Sequence, residues 1–553
     1  MSSPRPSRLR ETALAAVVER AGAAVRPPNA DVVGRAVTGV TLDSRTVRAG
    51  DLYAALPGHH VHGARFAETA IARGATAVLT DPAGAEVVGH LVEPGGTAVP
   101  ILVVESPRAV LGSLAAEIYA QPATRLRMYG ITGTNGKTTT AYLLESALRA
   151  LGARTGLIGT VETRIGQERL ASARTTPETT DLHAILAVMV EQGTDAVVME
   201  VSSHALAQHR VDGVVYDLAL FTNLSQDHLD YHGDMAGYFD AKAELFTPKR
   251  AHRGIVCIDD RWGRALADRS AIPVTTLATQ TGADWTLTTG AGATTTLVGP
   301  AGQVRLHCHL PGAFNVVNTA MAALALLESG YAVTDVERAM AAEPVVPGRM
   351  EVVPGSSADP RCIVDYAHTP EAVDAALAAL RPSTPGRLVV VLGAGGDRDR
   401  GKRRAMGAAA ARWADDLIVT DDNPRSEDPA AIRAEVLAGA QQSPPSGSGE
   451  RPGSGERPGS GERPDPGESP DLSQRALPAS STRRSSQAGR AADIAEAVRL
   501  AREQGRPTDN TVVVLGKGHE TGQEIAGVVH PFDDRDALAA ALRGQPYAPE
   551  ADR

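Results

Sequence analysis

Short apolar runs alternate with helical periodicities along most of the chain. Val37–Leu42 and Asp51–Leu56 read as strands separated by the turn-like DSRTVRAG, Phe66–Arg73 as a short helix and Ala75–Thr80 as a further strand. Pro122 closes this first region, residues 1–124. From Arg125 each strand runs into a helix. Leu126–Thr132 leads into a Gly/Thr loop, and the helix after it gathers Leu143, Leu144, Ala147, Leu148 and Leu151 on one face. Asp195–Val201 (DAVVMEV) and Tyr216–Phe221 (YDLALF) have the continuous apolar character of strands buried on both sides. This region, 125–346, ends after the helix that follows Pro311. A third, 347–553, places strands at Arg361–Val364, Arg387–Leu392, Asp416–Thr420 and Thr511–Leu515, with helices such as Glu371–Leu380 and Ala491–Glu503 between them. The predicted class is α/β: three domains, a central one with a mostly parallel sheet and helices on both faces, and a C-terminal one that is again doubly wound, Rossmann-like.

Gln441–Arg490 breaks the pattern. It is rich in Ser, Pro, Gly, Glu and Arg and carries GSGERP three times, at Gly447–Pro452, Gly453–Pro458 and Gly459–Pro464. Such a stretch has little apolar surface to offset the entropy of ordering, so it is expected to be a disordered insertion between two helices.

Composition narrows the function. The 553 residues hold 55 Lys+Arg against 65 Asp+Glu, a formal net charge of -10, with only 3% aromatics. No global basic field exists for nucleic acid, and base-stacking platforms are scarce. No stretch approaches the roughly 18 apolar residues of a membrane span. After Arg5, Arg8 and Arg10 the apolar run is cut by Glu19 and Arg20, too soon for a signal-peptide core. Cys257, Cys308 and Cys362 match neither a zinc spacing nor a disulfide framework. A reduced cytoplasmic setting fits, and any positive groups that hold an anionic substrate have to be local.

GTNGKTT, Gly133–Thr139, supplies such a place. It follows a strand and opens a helix, the context a phosphate loop requires. Glycines let backbone N–H groups approach phosphate, the helix N-terminus adds a positive dipole, and Lys137 brings a mobile charge. Thr138 can hold Mg²⁺ through its hydroxyl. The literal GxxxxGK[ST] pattern fails by one place: Ile131 stands where the first glycine belongs, next to Gly130. Glu200 stands at the end of the strand in DAVVMEVSSH, where a parallel sheet presents ligand-facing residues, and can complete a magnesium site. TNLSQDHLDYHG, Thr222–Gly233, follows the next strand and is dense in Asp and His.

TGTNGKTT, EVSSHAL, TNLSQDHLDYHG, DAKAELF, PGAFNVVNTAMA, GRME, DYAHTPE, GGDRDRGKR, DDNPR and GKGHE occur in that order. Together they resemble the Mur ligases, over nearly the whole chain outside the insertion and the extreme termini. DNPR with GKGHE resembles the branch that adds the third amino acid, diaminopimelate, to UDP-N-acetylmuramoyl-L-alanyl-D-glutamate in peptidoglycan precursor synthesis. The resemblance implies a cytoplasmic monomer using ATP and Mg²⁺. It implies an N-terminal domain for the UDP-sugar, a central P-loop ATPase-like domain for ATP and a C-terminal Rossmann-like domain for the amino acid, and an acyl phosphate attacked by the amine of diaminopimelate.

Residue by residue, the resemblance assigns ATP to Gly133, Thr134, Asn135, Gly136, Lys137, Thr138, Thr139, Asn315, Asn318, Arg349 and Asp365. Thr138 and Glu200 match one magnesium site and His228 a second. Lys242 of DAKAELF matches the lysine that CO₂ converts to a carbamate, against the plain alternative of an unmodified surface lysine. Lys137, His228 and Lys242 form the implied catalytic set. Ser44, His59, His60 and Val61 match uridine-side positions; Thr175, Thr176, Ser202, Gln208 and Arg210 match those facing the muramoyl-peptide. One departure is His62, where the family loop reads Asp before Gly63. Arg398, Asp422, Asn423, Pro424, Arg425, Gly516 and Glu520 match diaminopimelate contacts. Arg425, stiffened by Pro424, is expected to grip the far carboxylate and to reject lysine. A folylpolyglutamate synthetase would share the ATP motifs without DNPR or the first domain. A nucleotide-binding switch would explain only the phosphate loop.

Overall fold

A computed structural model describes residues 4–58, 60–89, 91, 97–289, 295–342, 344–442, 482–485 and 489–549. The chain folds as two compact units: Met1–His309 with Phe314–Val345, and Leu310–Ala313 with Val346–Arg553. No helix among the described residues is long and apolar enough to cross a membrane.

The first unit holds two main sheets. The smaller runs in the order Ala24–Arg26, Ile101–Val103, Ala77–Thr80, Asp51–Ala54, Gly39–Thr41, parallel except at the first edge. Its core includes Leu14, Leu52, Leu79, Leu102 and Leu111, and Ala184 of the helix Thr179–Glu191 packs into it. The helix Leu14–Ala21 occupies the stretch that sequence alone read only as too short for a signal peptide.

The larger sheet has eleven strands. Its centre is parallel, in the order Thr155–Ile158, Ala196–Glu200, Arg127–Thr132, Tyr216–Phe221, Ala251–Cys257, Val274–Ala278, Trp285–Thr289. Hairpin strands extend both ends: Glu162–Ile165 with Glu168–Ala171, and Thr295–Gly299 with Gly302–Leu306. The helix Lys137–Ala150 follows the central strand Arg127–Thr132. Gly130 lies inside that strand, and a Cβ there would come within 2.8 Å of the Tyr216 ring. The off-register glycine is thus a packing requirement, and the phosphate loop begins at Gly133.

The second unit is built on Glu351–Val353, Arg361–Asp365, Thr511–Leu515, Leu388–Leu392, Asp416–Val419 and Thr482–Ser485, all parallel after the first strand. Leu388, Val390 and Leu392 belong to one core with the helices Pro370–Leu380, Lys402–Trp413 and Pro429–Gln442. Val389 and Val391 belong to the opposite core with Arg490–Glu503 and Asp534–Leu542. A strand covered on both faces is apolar at every position, which is why RLVVVL shows no alternation.

The insertion is narrower than its composition implies. Gln441 and Gln442 close a helix, Thr482–Ser485 pairs with Asp416–Val419, and Arg490 opens the next helix. Arg490 is fully buried, bonded to both Asp534 oxygens at 2.6 and 2.7 Å and to the carbonyls of Asp421 and Leu515. Composition placed it in the insertion because an arginine reads as solvated until a buried partner is known. The GSGERP repeats, and the disorder expected of them, lie outside the described residues.

Candidate active site

The phosphate loop is held from below by the next strand end. Thr134 N–H donates to the Asn223 carbonyl at 2.9 Å and Asn135 N–H to Asn223 Oδ1 at 3.0 Å. Thr222 Oγ1 and Asn223 Nδ2 donate to the Asn135 carbonyl. Gly133 and Gly136 have φ of +143° and +88°, and a Cβ at Gly133 would meet Thr222 Oγ1 at 2.0 Å. Only glycine fits this turn. Lys137 Nζ folds over it, donating to the carbonyls of Gly133 and Thr134 at 3.0 and 2.9 Å. Thr222 and Asn223 were not singled out from sequence, although TNLS carried the signal.

Thr138 Oγ1 donates to Glu200 Oε2 at 2.9 Å, and Thr160 binds both Glu200 oxygens. Thr139 is buried beside them in the helix's first turn. Asn315 and Asn318 lie inside the helix Ala313–Glu328, not at a cap. Asn318 Nδ2 donates to Asn315 Oδ1, while its Oδ1 accepts from Thr140 and approaches Gly136, whose Cβ would sit 2.4 Å away. Each sequence-assigned group of the loop and its helix therefore shares one edge of the parallel sheet.

Lys242 is no surface lysine: it is 1% exposed, donates to the Gly133 carbonyl at 2.8 Å, and lies over the Tyr238 ring. Burial holds its amine pKa well below the usual lysine value, with Lys137 pushing the same way and Asp227 opposing. His228 takes a left-handed φ of +55° and faces Asp227 at 3.5 Å. Its ring packs edge-on to His204 at 4.9 Å. Among the described residues no three His, Cys, Asp or Glu side chains converge as a metal cage. The oxygen donors Thr138 and Glu200 do converge, which suits a magnesium ion that takes one carboxylate and completes its shell from phosphates and water.

Beside this edge, Thr176 Oγ1 donates to the Glu200 carbonyl and accepts from Ser202 N–H. Thr175 Oγ1 accepts from Thr160, and Ser202 Oγ caps the helix Ser203–Ala207. Gln208 donates to Tyr231 and accepts from Arg210 Nη2. Arg210 also reaches Glu178 at 3.1 Å and the Thr176 carbonyl at 3.4 Å.

In the smaller sheet, Ser44 follows Gly39–Thr41 and His60–Val61 follow Asp51–Ala54, so both loops leave the C-terminal ends of adjacent parallel strands. His59 lies outside the described residues. His62 explains how the loop tolerates its departure from Asp. Its Nδ1 accepts from Ala64 N–H at 3.0 Å, capping the short turn Gly63–Phe66 as a carboxylate would, and Nε2 faces Asp81 at 3.0 Å.

In the second unit, both Asp365 oxygens accept backbone N–H groups, from Met350 and Ala367 at 2.8 Å each. Burial raises its pKa, opposed by Arg349, whose guanidinium lies 4.2 Å over the Tyr366 ring. Asn423 Nδ2 donates to Glu520 at 2.8 Å. Lys517, which sequence reasoning passed over within GKGHE, is completely buried and donates to Asn423 Oδ1, Glu520 and the Gly522 carbonyl, with Asp422 at 3.7 Å. Gly516 leaves room for Asp422, whose Oδ2 would be 2.9 Å from a Cβ there.

Arg425 has φ of +53°. Its N–H donates to the Glu524 carbonyl and its carbonyl accepts from Ala526 N–H, so the hairpin Gly522–Ile525/Val528–Pro531 holds it. Pro424 alone does not set its rigidity. Arg425 Nη1 donates to the Gly396 carbonyl at 2.7 Å, and Nε lies 3.4 Å from Glu524. Arg398 is exposed on the preceding Gly loop.

Residues 36–119 match the Mur ligase family catalytic domain, 131–326 the Mur ligase middle domain, and 348–448 the Mur ligase glutamate ligase domain. A Streptomyces avermitilis protein named UDP-N-acetylmuramoyl-L-alanyl-D-glutamate–2,6-diaminopimelate ligase is 48% identical over 98% of each chain. A Corynebacterium glutamicum protein of the same name is 43% identical over 94% of this chain and 95% of its own. A solved structure of a ligase so named covers 98% of this chain and 100% of its own at 28% identity and a TM-score of 0.60. A Mycobacterium tuberculosis folylpolyglutamate synthase shares the fold at 19% identity and TM-score 0.55, but spans 74% of this chain. With a phosphate loop, a buried lysine and a Thr–Glu pair on one sheet edge, and family matches that reach the three main sheets, the chain belongs to the Mur ligase family.

Proposed function

We propose that this protein is the ATP-dependent ligase that joins diaminopimelate to UDP-N-acetylmuramoyl-L-alanyl-D-glutamate. The observation that carries the reading is the shared edge of Lys137, Thr138, Glu200 and Lys242. A carboxylate cannot be aminated until one of its oxygens becomes a leaving group. Its oxygen takes the γ-phosphoryl of ATP, giving an acyl phosphate and ADP. An amine of diaminopimelate then attacks the acyl carbon, the C–O bond to phosphate breaks, and a proton leaves the nitrogen.

The Thr134 and Asn135 N–H groups are used by Asn223, so phosphate approaches the helix's first turn from Gly136 onward. Lys137 swings from its two carbonyls onto the transferring group. Thr138 and Glu200 would hold one Mg²⁺, and His228 with the Lys242 carbamate a second; the bound metal supplies charge neutralisation among the converging anions. The depressed pKa of Lys242 favours the neutral amine, the form that adds to CO₂. Asn315, Asn318, Arg349 and Asp365 serve the nucleotide. Ser44, the His59–Val61 loop, Thr175, Thr176, Ser202, Gln208 and Arg210 serve the nucleotide sugar. Arg398, Asp422 to Arg425, Gly516 and Glu520 serve diaminopimelate, with Lys517 positioning Asn423 and Glu520. The same reading has the enzyme work in the cytoplasm as a monomer.

Purified protein should release phosphate from ATP only with both the UDP-MurNAc-dipeptide and diaminopimelate present. Equal turnover without the nucleotide sugar would overturn the reading.

A further inference from the structure

Arg490 is the first residue of the helix Arg490–Glu503, and Asp534 the first of Asp534–Leu542. Both side chains are fully buried. Arg490 Nε and Nη2 donate to the two Asp534 oxygens at 2.6 and 2.7 Å, a two-pronged contact that fixes the plane of the guanidinium. The same plane carries two further bonds. Nη1 donates to the Asp421 carbonyl at 3.1 Å, and Nη2 to the Leu515 carbonyl at 3.0 Å.

These carbonyls stand at the ends of two strands that are not neighbours. Asp421 follows Asp416–Val419, Leu515 closes Thr511–Leu515, and Leu388–Leu392 lies between them in the sheet. Arg490 therefore reaches over the end of the middle strand. Gly393, directly after that strand, gives it room: a Cβ there would stand 3.0 Å from Arg490 Nη1 and 3.0 Å from the Asp422 Cβ. The segments that leave these three strand ends carry Arg398, Asp422 to Arg425, and Gly516 with Glu520, the groups assigned above to diaminopimelate. Asp422 and Gly516 each come directly after a carbonyl that Arg490 holds.

Burial works against the charge of Arg490, but Asp534, Asp422 and Glu520 outweigh it and raise the pKa, so the group is a fixed cation. A buried ion pair adds little net stability, because desolvating both charges offsets most of their attraction. Two apolar side chains of similar volume would fill the space as well. They would not supply donors to two main-chain carbonyls at a fixed spacing, which a planar guanidinium does. We propose that Arg490, aimed by Asp534, is a positioning residue for the amino-acid site and sets the spacing of the Asp422 and Gly516 loops across Gly393. It acts through the two carbonyls and not by contact with the amino acid. The inference rests on the ligase reading for the identity of that amino acid.

The test is steady-state kinetics of the full-length protein, with ATP, UDP-MurNAc-L-Ala-D-Glu and diaminopimelate varied in turn, for wild type and Arg490→Met/Asp534→Leu. The double substitution removes both charges together, so no buried ion is stranded, and its melting temperature checks that the fold is kept. KM for diaminopimelate should rise about tenfold or more, the scale of one or two lost hydrogen bonds, while KM for ATP and for the nucleotide sugar stay within about twofold. A purely structural pair would instead lower kcat through a smaller active fraction and leave all three KM values where they were. That pattern, or an unmoved KM for diaminopimelate in the folded variant, overturns the positioning role. Arg490→Lys keeps a cation against Asp534 but loses the planar fork. It should move the same KM in the same direction by a smaller factor, and it carries the comparison if the double variant does not fold; an unmoved KM there overturns the role equally. Wild type that releases no phosphate with all three substrates present overturns the ligase reading and the assignment of the amino acid with it. An unmoved KM beside normal wild-type turnover overturns the positioning role alone.

Discussion

The Thr138 hydroxyl donates to Glu200 Oε2 across 2.9 Å, joining the first turn of the phosphate-loop helix to the end of the neighbouring strand. Both groups are buried, and both are oxygen donors facing the same edge. Thr138→Val keeps the shape and removes the hydroxyl. We expect turnover to fall about a hundredfold, with the apparent affinity for Mg²⁺ weakened, as for loss of one preorganised electrostatic partner. A magnesium titration of the steady-state rate reads this; an unchanged magnesium dependence would place the metal elsewhere.

Lys242→Ala should abolish turnover while leaving melting temperature within a few degrees. A short carboxylate such as acetate, which restores an oxygen donor where the carbamate would stand, should recover part of the rate. Mass spectrometry of the wild type under ¹³CO₂ with chemical trapping should locate the label on Lys242. Normal activity in the alanine variant would remove this residue from the site.

Arg425 retains the Gly396 carbonyl and Glu524 as partners when no ligand carboxylate is present. Lysine therefore does not leave a bare buried charge, and the penalty against it is smaller than an unpaired arginine implies. We expect diaminopimelate to be preferred over L-lysine by about a hundredfold in kcat/KM, the worth of two charge-assisted hydrogen bonds. Arg425→Ala should erase most of that ratio, raise KM for diaminopimelate, and spare KM for ATP. A ratio that survives the substitution would assign selectivity to another group.

His183 is fully buried, with Nε2 facing the Asp212 carbonyl at 2.9 Å, and burial pushes its pKa down to about 4. The unfolded chain takes up a proton near the ordinary histidine pKa and the folded protein only near 4. Stability is therefore full above about pH 6.5 and falls as pH drops toward 4, by about 3 kcal/mol from this residue alone. His183→Gln should flatten the dependence of unfolding free energy on pH in that window, measured by urea titration. A slope identical to wild type would show that other groups carry the acid sensitivity.

Replacing residues 443–481 with a short Gly/Ser linker should leave turnover and melting temperature nearly unchanged, because GSGERP repeats offer no apolar surface to bury. Extending the deletion through Arg490 should lower the melting temperature steeply, since Asp534 would be left buried without its partner. Equal tolerance of both deletions would contradict the role of the Arg490–Asp534 pair.

Much of this protein is legible along the chain because the relevant information is local. RLVVVL and DAVVMEV state that both faces of a strand are covered, and a loop of Gly, Lys and Thr between strand and helix states where phosphate goes. The ordered motifs carry the family. Pairings between distant segments have no such signature. Gly130 looks like a displaced loop glycine until Tyr216 is seen against it, and His62 looks like a lost aspartate until its ring caps the following turn. The outer strands Trp285–Thr289, Thr295–Gly299 and Gly302–Leu306 are rich in Thr and Gly, so their pattern is too weak to read alone. Arg490, Lys517 and Lys242 are charged residues that sequence composition assigns to solvent. Their burial is decided by partners tens of residues away, which exist only once the sheets have set the register that brings them together.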